Sequence, residues 1–163
     1  MSDATVLLQV QANFPPPDSI PRQRLTLAVQ TVLSMHEVAE NAMVSVIIGT
    51  DEQMREMNMR YRGLEETTDI LSFPSQPLPE GVEEEESGYL GDIIIALPYV
   101  AARAMDHNHS LHDELLLLLV HGTLHLLGYE HDTQESQAEM WKVQAEALAS
   151  LNVHIDVPDY VHE

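Results

Sequence analysis

Apolar residues recur along this chain in two patterns, one typical of strands and one typical of helices. Short runs of aliphatic and β-branched residues predict four strands, at residues 5–10, 43–48, 67–73 and 89–97. The last run follows Gly91 and Asp92 and is continuously apolar, which is typical of a buried strand.

Apolar residues three and four positions apart predict helices between and after these strands. The first helix is predicted over residues 20–39, with one apolar side formed by Leu25, Val29, Val32 and Leu33. Capping residues and proline predict four further helix starts, at Thr50, Pro98, Ser110 and Asp132.

Two of these later helices have informative apolar positions. The helix after Ser110 is apolar all round over residues 115–120 and is therefore predicted to be buried. The last helix is predicted to extend to about residue 151. Its packing side is formed by Met140, Val143, Ala147 and Leu151.

The most informative stretch is residues 121–132, HGTLHLLGYEHD, which spaces three histidines as H-x3-H-x5-H. On a helix, His121 and His125 share one face because they are four residues apart. Gly128 is suited to a left-handed helix end that returns His131 to the same point. Three converging imidazoles with an open fourth position are typical of a catalytic metal site.

The alternative is a histidine-rich helix end packed on the core, which would bury several polar rings that need partners. The spacing also matches one class of zinc protease, but Gly122 stands where that class carries its glutamate base. We therefore predict one divalent metal held by His121, His125 and His131. Zinc suits three imidazoles best, and nickel or another transition metal also accepts them.

Composition limits the remaining possibilities. The 163 residues are typical of one domain, and the chain has no cysteine, which excludes disulfides and thiolate ligands and fits a cytoplasmic protein. The N-terminus has no signal-peptide pattern, and the longest apolar run is too short to span a membrane. The net charge of −20 argues against whole-surface binding of nucleic acid or membranes, although it allows a local basic site.

These features predict a single α/β (α+β) domain over residues 1–163. In it, helices cover a small mixed sheet of about four strands, and a central helix carries the metal. Residues 74–88 are predicted to form an acidic loop, because the run at 83–86 repels itself. Residues 152–163 are predicted to form a loose tail.

Charged residues outside the motif supply the other candidates. Arg62 lies at a predicted helix–strand junction and carries a guanidinium suited to a substrate phosphate, with an ordinary surface ion pair as the alternative. The carboxylates Glu130, Asp92 and Asp69 are candidates for orienting the metal ligands, with capping or other structural roles as the alternatives.

The other six histidines are assigned from their positions alone. Three flank the central helix and are interpreted as surface or substrate-side residues: His107, His109 and His112. The remaining three are predicted to lie on the surface: His36, His154 and His162.

Four stretches together resemble the YbeY family of bacterial rRNA maturation factors, which are single-strand-specific endoribonucleases. Residues 121–132 resemble the family signature H-G-x-L-H-L-x-G-Y-D-H, with Glu130 in place of its aspartate. Residues 57–62 and 68–74 resemble its L-N-x-x-Y-R and T-D-V-L-S-F-P block, without the proline that usually precedes it. Residues 90–95 resemble its L-G-D-I-x-I strand.

The resemblance implies a hydrolase, a metal-dependent nuclease of single-stranded RNA that acts in the cytoplasm at the 3′ end of 16S rRNA and in ribosome quality control. It implies that His121, His125 and His131 bind the metal and that Arg62 is the critical arginine. Attack by a metal-activated water and attack by the ribose 2′-hydroxyl both remain open.

Two other hypotheses for the function remain open beside the nuclease. One is another metallohydrolase, such as a protease. The other is a non-catalytic assembly factor with a structural metal, since an acidic surface suits the ribosomal small subunit through a basic ribosomal protein. No membrane partner is expected.

Overall fold

The computed structural model describes residues 4–10, 20–38, 40–75 and 88–154. Four strands form one sheet: β1 (Thr5–Val10), β2 (Met43–Gly49), β3 (Ile70–Pro74) and β4 (Tyr89–Ala96). Five helices accompany them: α1 (Arg22–Ser34), α2 (Asp51–Arg62), α3 (Leu97–Asp106), α4 (Leu111–Leu126) and α5 (Gln134–Ser150). The described residues outside these elements are turns and connections.

The sheet is mixed, with the strand order β1-β2-β4-β3. β1, β2 and β4 are parallel, whereas β3 is antiparallel to β4 and forms an edge. Successive side chains of a strand point to opposite faces, so Ile93 and Ile95 join the core under α1, α4 and α5. Ile94 and Ala96 pack in a second cluster with Met54 of α2. The predicted mixed sheet of four strands, covered by helices, is confirmed.

α4 lies at the centre of the larger core. Ser110 accepts a hydrogen bond from the backbone N–H of Asp113 at 3.1 Å, which starts the helix at the predicted place. Every residue from 114 to 124 is buried. The helix is therefore rigidly held at the point where it carries His121.

The first helix is shorter than the predicted range of residues 20–39. Pro21 is extended and has no N–H, so α1 begins at Arg22. At the other end, the ring of His36 approaches the Val32 carbonyl at 2.8 Å, which satisfies a terminal carbonyl after the last turn at Ser34. Residue 39 lies outside the described residues.

The predicted start of the last helix was wrong by one residue. Thr133, rather than Asp132, caps the helix, and its partner in the capping box is Ser136. Its hydroxyl accepts from the Ser136 N–H at 3.0 Å. The predicted packing side is confirmed, with Met140, Ala147 and Leu151 buried and Val143 partly buried against the core. Gln144 is buried beside them and was not predicted.

Strand ends differ slightly as well. β3 begins at Ile70 rather than Thr67, because the Asp69 carboxylate accepts the Ile70 N–H at 2.7 Å before strand pairing starts. Pro74 belongs to β3, which an edge strand tolerates. Most of the predicted loop at 74–88, the acidic run, and the tail beyond residue 154 lie outside the described residues.

Candidate metal centre

The site begins on α4, whose last turns carry His121 and His125. His121 is fully buried. Gly122 faces the sheet, where an added Cβ would lie 2.9 Å from Ile70 Cδ1. A glutamate at this position would meet the apolar core rather than a substrate, which argues against the protease reading.

The turn after α4 brings the third imidazole back. Gly128 has φ +101°, a conformation that few residues other than glycine adopt. The turn is closed by hydrogen bonds from Gly128 N–H to the His125 carbonyl at 3.0 Å and from Tyr129 N–H to the Leu124 carbonyl at 3.1 Å. The His131 ring then lies 5.1 Å from that of His125. The predicted convergence of three histidines is confirmed, since one ring nitrogen of each lies within 4.8 Å of the others.

Hydrogen bonds at the Nδ1 atoms determine the tautomer of two imidazoles. His125 Nδ1 lies 2.8 Å from the Tyr129 carbonyl, and His121 Nδ1 lies 3.0 Å from Gln144 Oε1. Both oxygens are acceptors, so each Nδ1 carries the proton and each Nε2 presents a lone pair.

These two lone pairs face each other. The Nε2 atoms of His121 and His125 are 3.1 Å apart, close to the roughly 3.3 Å expected for two nitrogens that bind a tetrahedral zinc at about 2.0–2.1 Å. Two facing lone pairs repel unless a cation lies between them. The donor set therefore fits a divalent metal.

A hydrogen bond of the Tyr129 hydroxyl connects the turn after α4 to α1. The Tyr129 hydroxyl lies 2.8 Å from His36 Nε2, and His36 Nδ1 lies 2.8 Å from the Val32 carbonyl. Burial, followed by the charges of Glu139 and Glu146, raises the pKa of Tyr129, so its hydroxyl keeps the proton that it donates. The predicted surface position of His36 was therefore wrong, because the ring is half-buried and ties α1 to the ligand turn.

Two site residues on α5 were not identified from the sequence. Gln144 is fully buried and orients His121. The Trp141 ring packs edge-on against His131 and His121, with centroid distances of 5.5 Å and 6.0 Å. A glutamine four residues after Met140, on an otherwise apolar side of α5, is the signal that identifies this position.

Arg62 lies across a cleft from the imidazoles. The cleft has a volume of about 480 Å³ and is lined by Arg62, Ser72, Pro74, His125, Glu130, His131 and Asp132. Gly63 ends α2 with φ +71°, and the exposed Arg62 reaches the cleft beside the edge strand β3. The structure thus brings Arg62 and two of the three histidines to one opening.

The three carboxylates that were candidates for orienting the metal ligands take three different places. Glu130 is exposed in the cleft. Asp69 is buried and pairs with Arg103 at 2.7 Å, so it ties β3 to α3. Asp92 accepts a hydrogen bond from the Tyr89 hydroxyl. Since Ile93 faces α4, Asp92 lies on the opposite face of the sheet, away from the imidazoles. Only Glu130 of the three lines the cleft, and the suggested metal-site roles of Asp69 and Asp92 are not supported.

The histidines flanking α4 lie elsewhere. His109 pairs with the buried Glu114 at 2.7 Å, and its ring lies 6.3 Å from that of His107. His112 contacts Asp113 at 2.8 Å and accepts from Arg24 Nε at 3.3 Å. These contacts belong to the start of α4, at the other end from the metal centre. His154 is exposed as predicted, and His162 lies outside the described residues.

Among the described residues, no helix is both long and apolar enough to cross a membrane.

Comparison with known proteins identifies the family. The family model described as Endoribonuclease YbeY matches residues 16–152. The endoribonuclease YbeY of Acinetobacter baylyi is 34% identical over 148 residues, covering 90% of this chain and 93% of the relative. That of Pelotomaculum thermopropionicum is 40% identical over 132 residues, covering 79% and 85%.

A solved structure supports the fold independently. The solution structure of TM1509 from Thermotoga maritima superposes with a TM-score of 0.53 at 22% identity, covering 91% of this chain and 92% of that one. At this identity the likeness concerns the fold alone. Together with the converging histidines, the family match over most of the chain shows that this protein belongs to the YbeY endoribonuclease family.

Proposed function

We propose that the protein is a metal-dependent endoribonuclease that cleaves single-stranded RNA. Its role is maturation of the 3′ end of 16S rRNA and ribosome quality control, as the family resemblance implies. The observation that carries the proposal is the shared cleft, in which a guanidinium faces two imidazoles of a three-histidine group. Imidazoles that hold a metal and a guanidinium that binds phosphate are both suited to the hydrolysis of a phosphodiester.

The metal ligands in this proposal are His121, His125 and His131, and the metal is zinc. Zinc bound by three imidazoles polarises a phosphoryl oxygen and lowers the pKa of water. The chain's own contribution is orientation, because Gln144 and the Tyr129 carbonyl hold two rings with their lone pairs directed inward. The Trp141 ring packs edge-on against His121 and His131 and so lies against one side of the group.

Arg62 binds the phosphate at the scissile bond. Its planar fork can donate two parallel hydrogen bonds to phosphate oxygens and neutralise the charge that develops during cleavage. Its exposed position at the end of α2 leaves the donors accessible. Among the described residues, the ion pairs of the protein do not involve Arg62.

The size of the cleft favours a single strand. A volume of about 480 Å³ is suited to a small ligand rather than to a helix. Specific RNA recognition usually relies on unpaired nucleotides that can splay their bases into such sites. We therefore expect base pairing to protect the substrate.

The net charge of −20 suggests that the protein reaches its RNA with help from a basic partner. An acidic surface repels naked RNA at long range and attracts a basic protein. A basic ribosomal protein of the small subunit has this chemistry and would present the rRNA to the cleft. The reaction would then take place in the cytoplasm, where ribosomes are assembled.

The test compares cleavage of one labelled RNA as a single strand and as a duplex by the zinc-loaded protein. Arg62→Ala should lower the rate about 100-fold or more without loss of zinc, and His125→Ala should lose both zinc and cleavage. Arg60→Ala, on the same helix, serves as the matched control and should cleave normally. Equal faint activity in all four proteins would indicate a contaminant and favour a non-catalytic assembly factor.

A further inference from the structure

Positive charge in this protein is concentrated at one place. The chain has 7 lysines and arginines against 27 acidic residues. Arg103 is paired with Asp69, and Arg24 donates to the Leu151 carbonyl. Three of the remaining cations, Arg55, Arg60 and Arg62, lie on α2.

The helix divides these three arginines between two sides. Arg55, Met59 and Arg62 are spaced i, i+4 and i+7, so they lie on one side of α2. Seven residues correspond to about 10 Å along the axis. Arg60 is two residues before Arg62 and so points away from this side. Arg55 therefore lies on the same side of α2 as Arg62, about two helical turns farther from the cleft.

Arg55 does not use the helix partners that its sequence offers. Asp51 and Glu52 precede it by four and three residues, the spacing at which helix ion pairs form. Asp51 instead accepts the Tyr99 N–H at 3.1 Å. Within the described ranges, the ion pairs do not include Arg55, and its side chain is exposed. The guanidinium is available to a ligand.

Large apolar side chains are exposed at the C-terminal end of α2, around Arg62. The exposed fractions are 52% for Met59, 57% for Tyr61 and 43% for Leu64. One side of the Tyr61 ring is supported by Phe73, at a centroid distance of 4.9 Å. A supported and exposed ring next to arginines is typical of single-stranded nucleic acid sites, in which bases stack on aromatic residues.

We propose that α2 carries a subsite, the α2 subsite, for the RNA strand that leaves the cleft at Arg62. On the side of the helix that it shares with Met59 and Arg62, Arg55 binds a backbone phosphate beyond the scissile one. Tyr61 lies on an adjacent side of the helix, next to Arg62, and stacks with a base there. This inference rests on the proposed nuclease function and extends it to the neighbouring nucleotides. An exposed guanidinium outside the ion pairs of the described residues, on the same side of α2 as Arg62, favours a phosphate-bearing strand over a protein partner.

The test measures kcat and KM for cleavage of a single-stranded oligonucleotide at several salt concentrations by the zinc-loaded protein. Arg55→Gln should raise KM several-fold with kcat unchanged. It should also reduce the slope of log(kcat/KM) against log[salt] by about 0.7, the value for one phosphate contact on a single strand. Tyr61→Leu, which keeps an apolar contact with Phe73, should raise KM about fivefold or more without changing the slope.

Arg60→Gln is the matched control, because it removes the same charge from the other side of α2 and should leave both constants unchanged. Circular dichroism and zinc content confirm that each variant is folded and loaded. If the wild type cleaves RNA but Arg55→Gln and Tyr61→Leu behave as Arg60→Gln does, the α2 subsite is wrong and the nuclease function stands. The three variants would also behave alike if this surface binds a protein instead of RNA, and that outcome would equally overturn the α2 subsite. If the wild type does not cleave RNA, both proposals are overturned.

Discussion

At the scale of single residues, the outer nitrogens of the imidazoles determine what the site can bind. A carbonyl and an amide oxygen each accept a hydrogen bond from the Nδ1–H of one ring, which leaves both Nε2 lone pairs directed at one point. Partners of this kind fix ring orientation and raise ligand basicity in metal sites generally. The amide of Gln144 also has a buried Nε2 with no hydrogen-bond partner among the described residues.

We predict that Gln144→Leu lowers zinc affinity about 10- to 100-fold, because it removes the acceptor that orients His121. Gln144→Glu keeps an acceptor at the same place and should retain the affinity. Competition with a chromophoric chelator measures both constants. Equal zinc affinity in the leucine variant and the wild type would show that Gln144 fills space and does not orient the ring.

We also predict that Tyr129→Phe, which removes only the hydroxyl, lowers the free energy of unfolding by about 0.5–1.5 kcal/mol through loss of its bond to His36. Zinc affinity should fall by a few-fold, since the Tyr129 carbonyl is then less firmly held. Chemical unfolding and metal competition measure the two effects. In a double-mutant cycle with His36→Ala the losses should be less than additive; full additivity would contradict the link.

The sequence predicted the three converging histidines better than the residues that support them. His121, His125 and His131 follow from helix periodicity and one glycine, which are local properties of the chain. Gln144 and Trp141 contact the rings only because α5 packs against α4, and His36 reaches Tyr129 only because α1 does so. Such contacts depend on tertiary packing, which the spacing of residues along one element does not contain.

At the scale of elements, two helix ends control the site, and each depends on a glycine. Gly63 ends α2 after Arg62 with φ +71°, and Gly128 ends α4 before His131 with φ +101°. An added Cβ would meet no other atom within 4 Å at either position. The cost of a side chain at these positions is therefore backbone strain rather than a clash.

We predict that Gly128→Ala and Gly63→Ala each lower the free energy of unfolding by about 1–2 kcal/mol. Gly128→Ala should also weaken zinc binding, because the turn positions His131, whereas Gly63→Ala should not. Urea unfolding and zinc titration of the same preparations measure both quantities. Equal zinc affinity in the two variants would show that the turn at Gly128 is not needed to place the third ligand.

Element ends were predicted less well than element types. The ring of His36 ends α1 by contacting a carbonyl one turn back, and a histidine at that position has no strong sequence signal. For α5, Asp132 and Thr133 are both good capping residues followed three positions later by a polar partner. Local geometry selects Thr133, which is extended with φ −117°.

At the scale of the whole molecule, the sheet separates two environments. The face under α4 leads to the metal centre, and the opposite face is covered in part by α2. Asp92 lies on the second face, where burial raises the pKa of its carboxyl above 3.8. Alternation along β4 puts Asp92 on this face because Ile93 faces α4. Which face α4 covers is set by tertiary packing, which the sequence of β4 does not contain.

Asp92 provides a prediction for the pH dependence of stability. Because its folded-state pKa is raised, its contribution to stability is fully present below the unfolded pKa and is lost as the pH rises through the folded pKa. Asp92→Asn keeps an acceptor for Tyr89 and avoids this loss. The variant should therefore be more stable than the wild type at pH 7, with the difference vanishing towards pH 4.

Urea unfolding over this pH range measures the difference between the two proteins. Glu40→Gln, which neutralises an exposed carboxylate, controls for the change in net charge. If the advantage of Asp92→Asn is the same at pH 4 and pH 7, or no larger than that of Glu40→Gln at pH 7, the Asp92 carboxyl is not the source of the effect.

We propose that the three histidines form one metal centre on which RNA cleavage depends. The most direct measurement titrates metal-free protein with Co²⁺, following visible absorbance and cleavage of single-stranded RNA in the same samples. We predict that both signals rise together and saturate at one equivalent, and that His131→Ala shows neither. Cleavage by the metal-free protein, or Co²⁺ binding that leaves cleavage unchanged, would contradict the account.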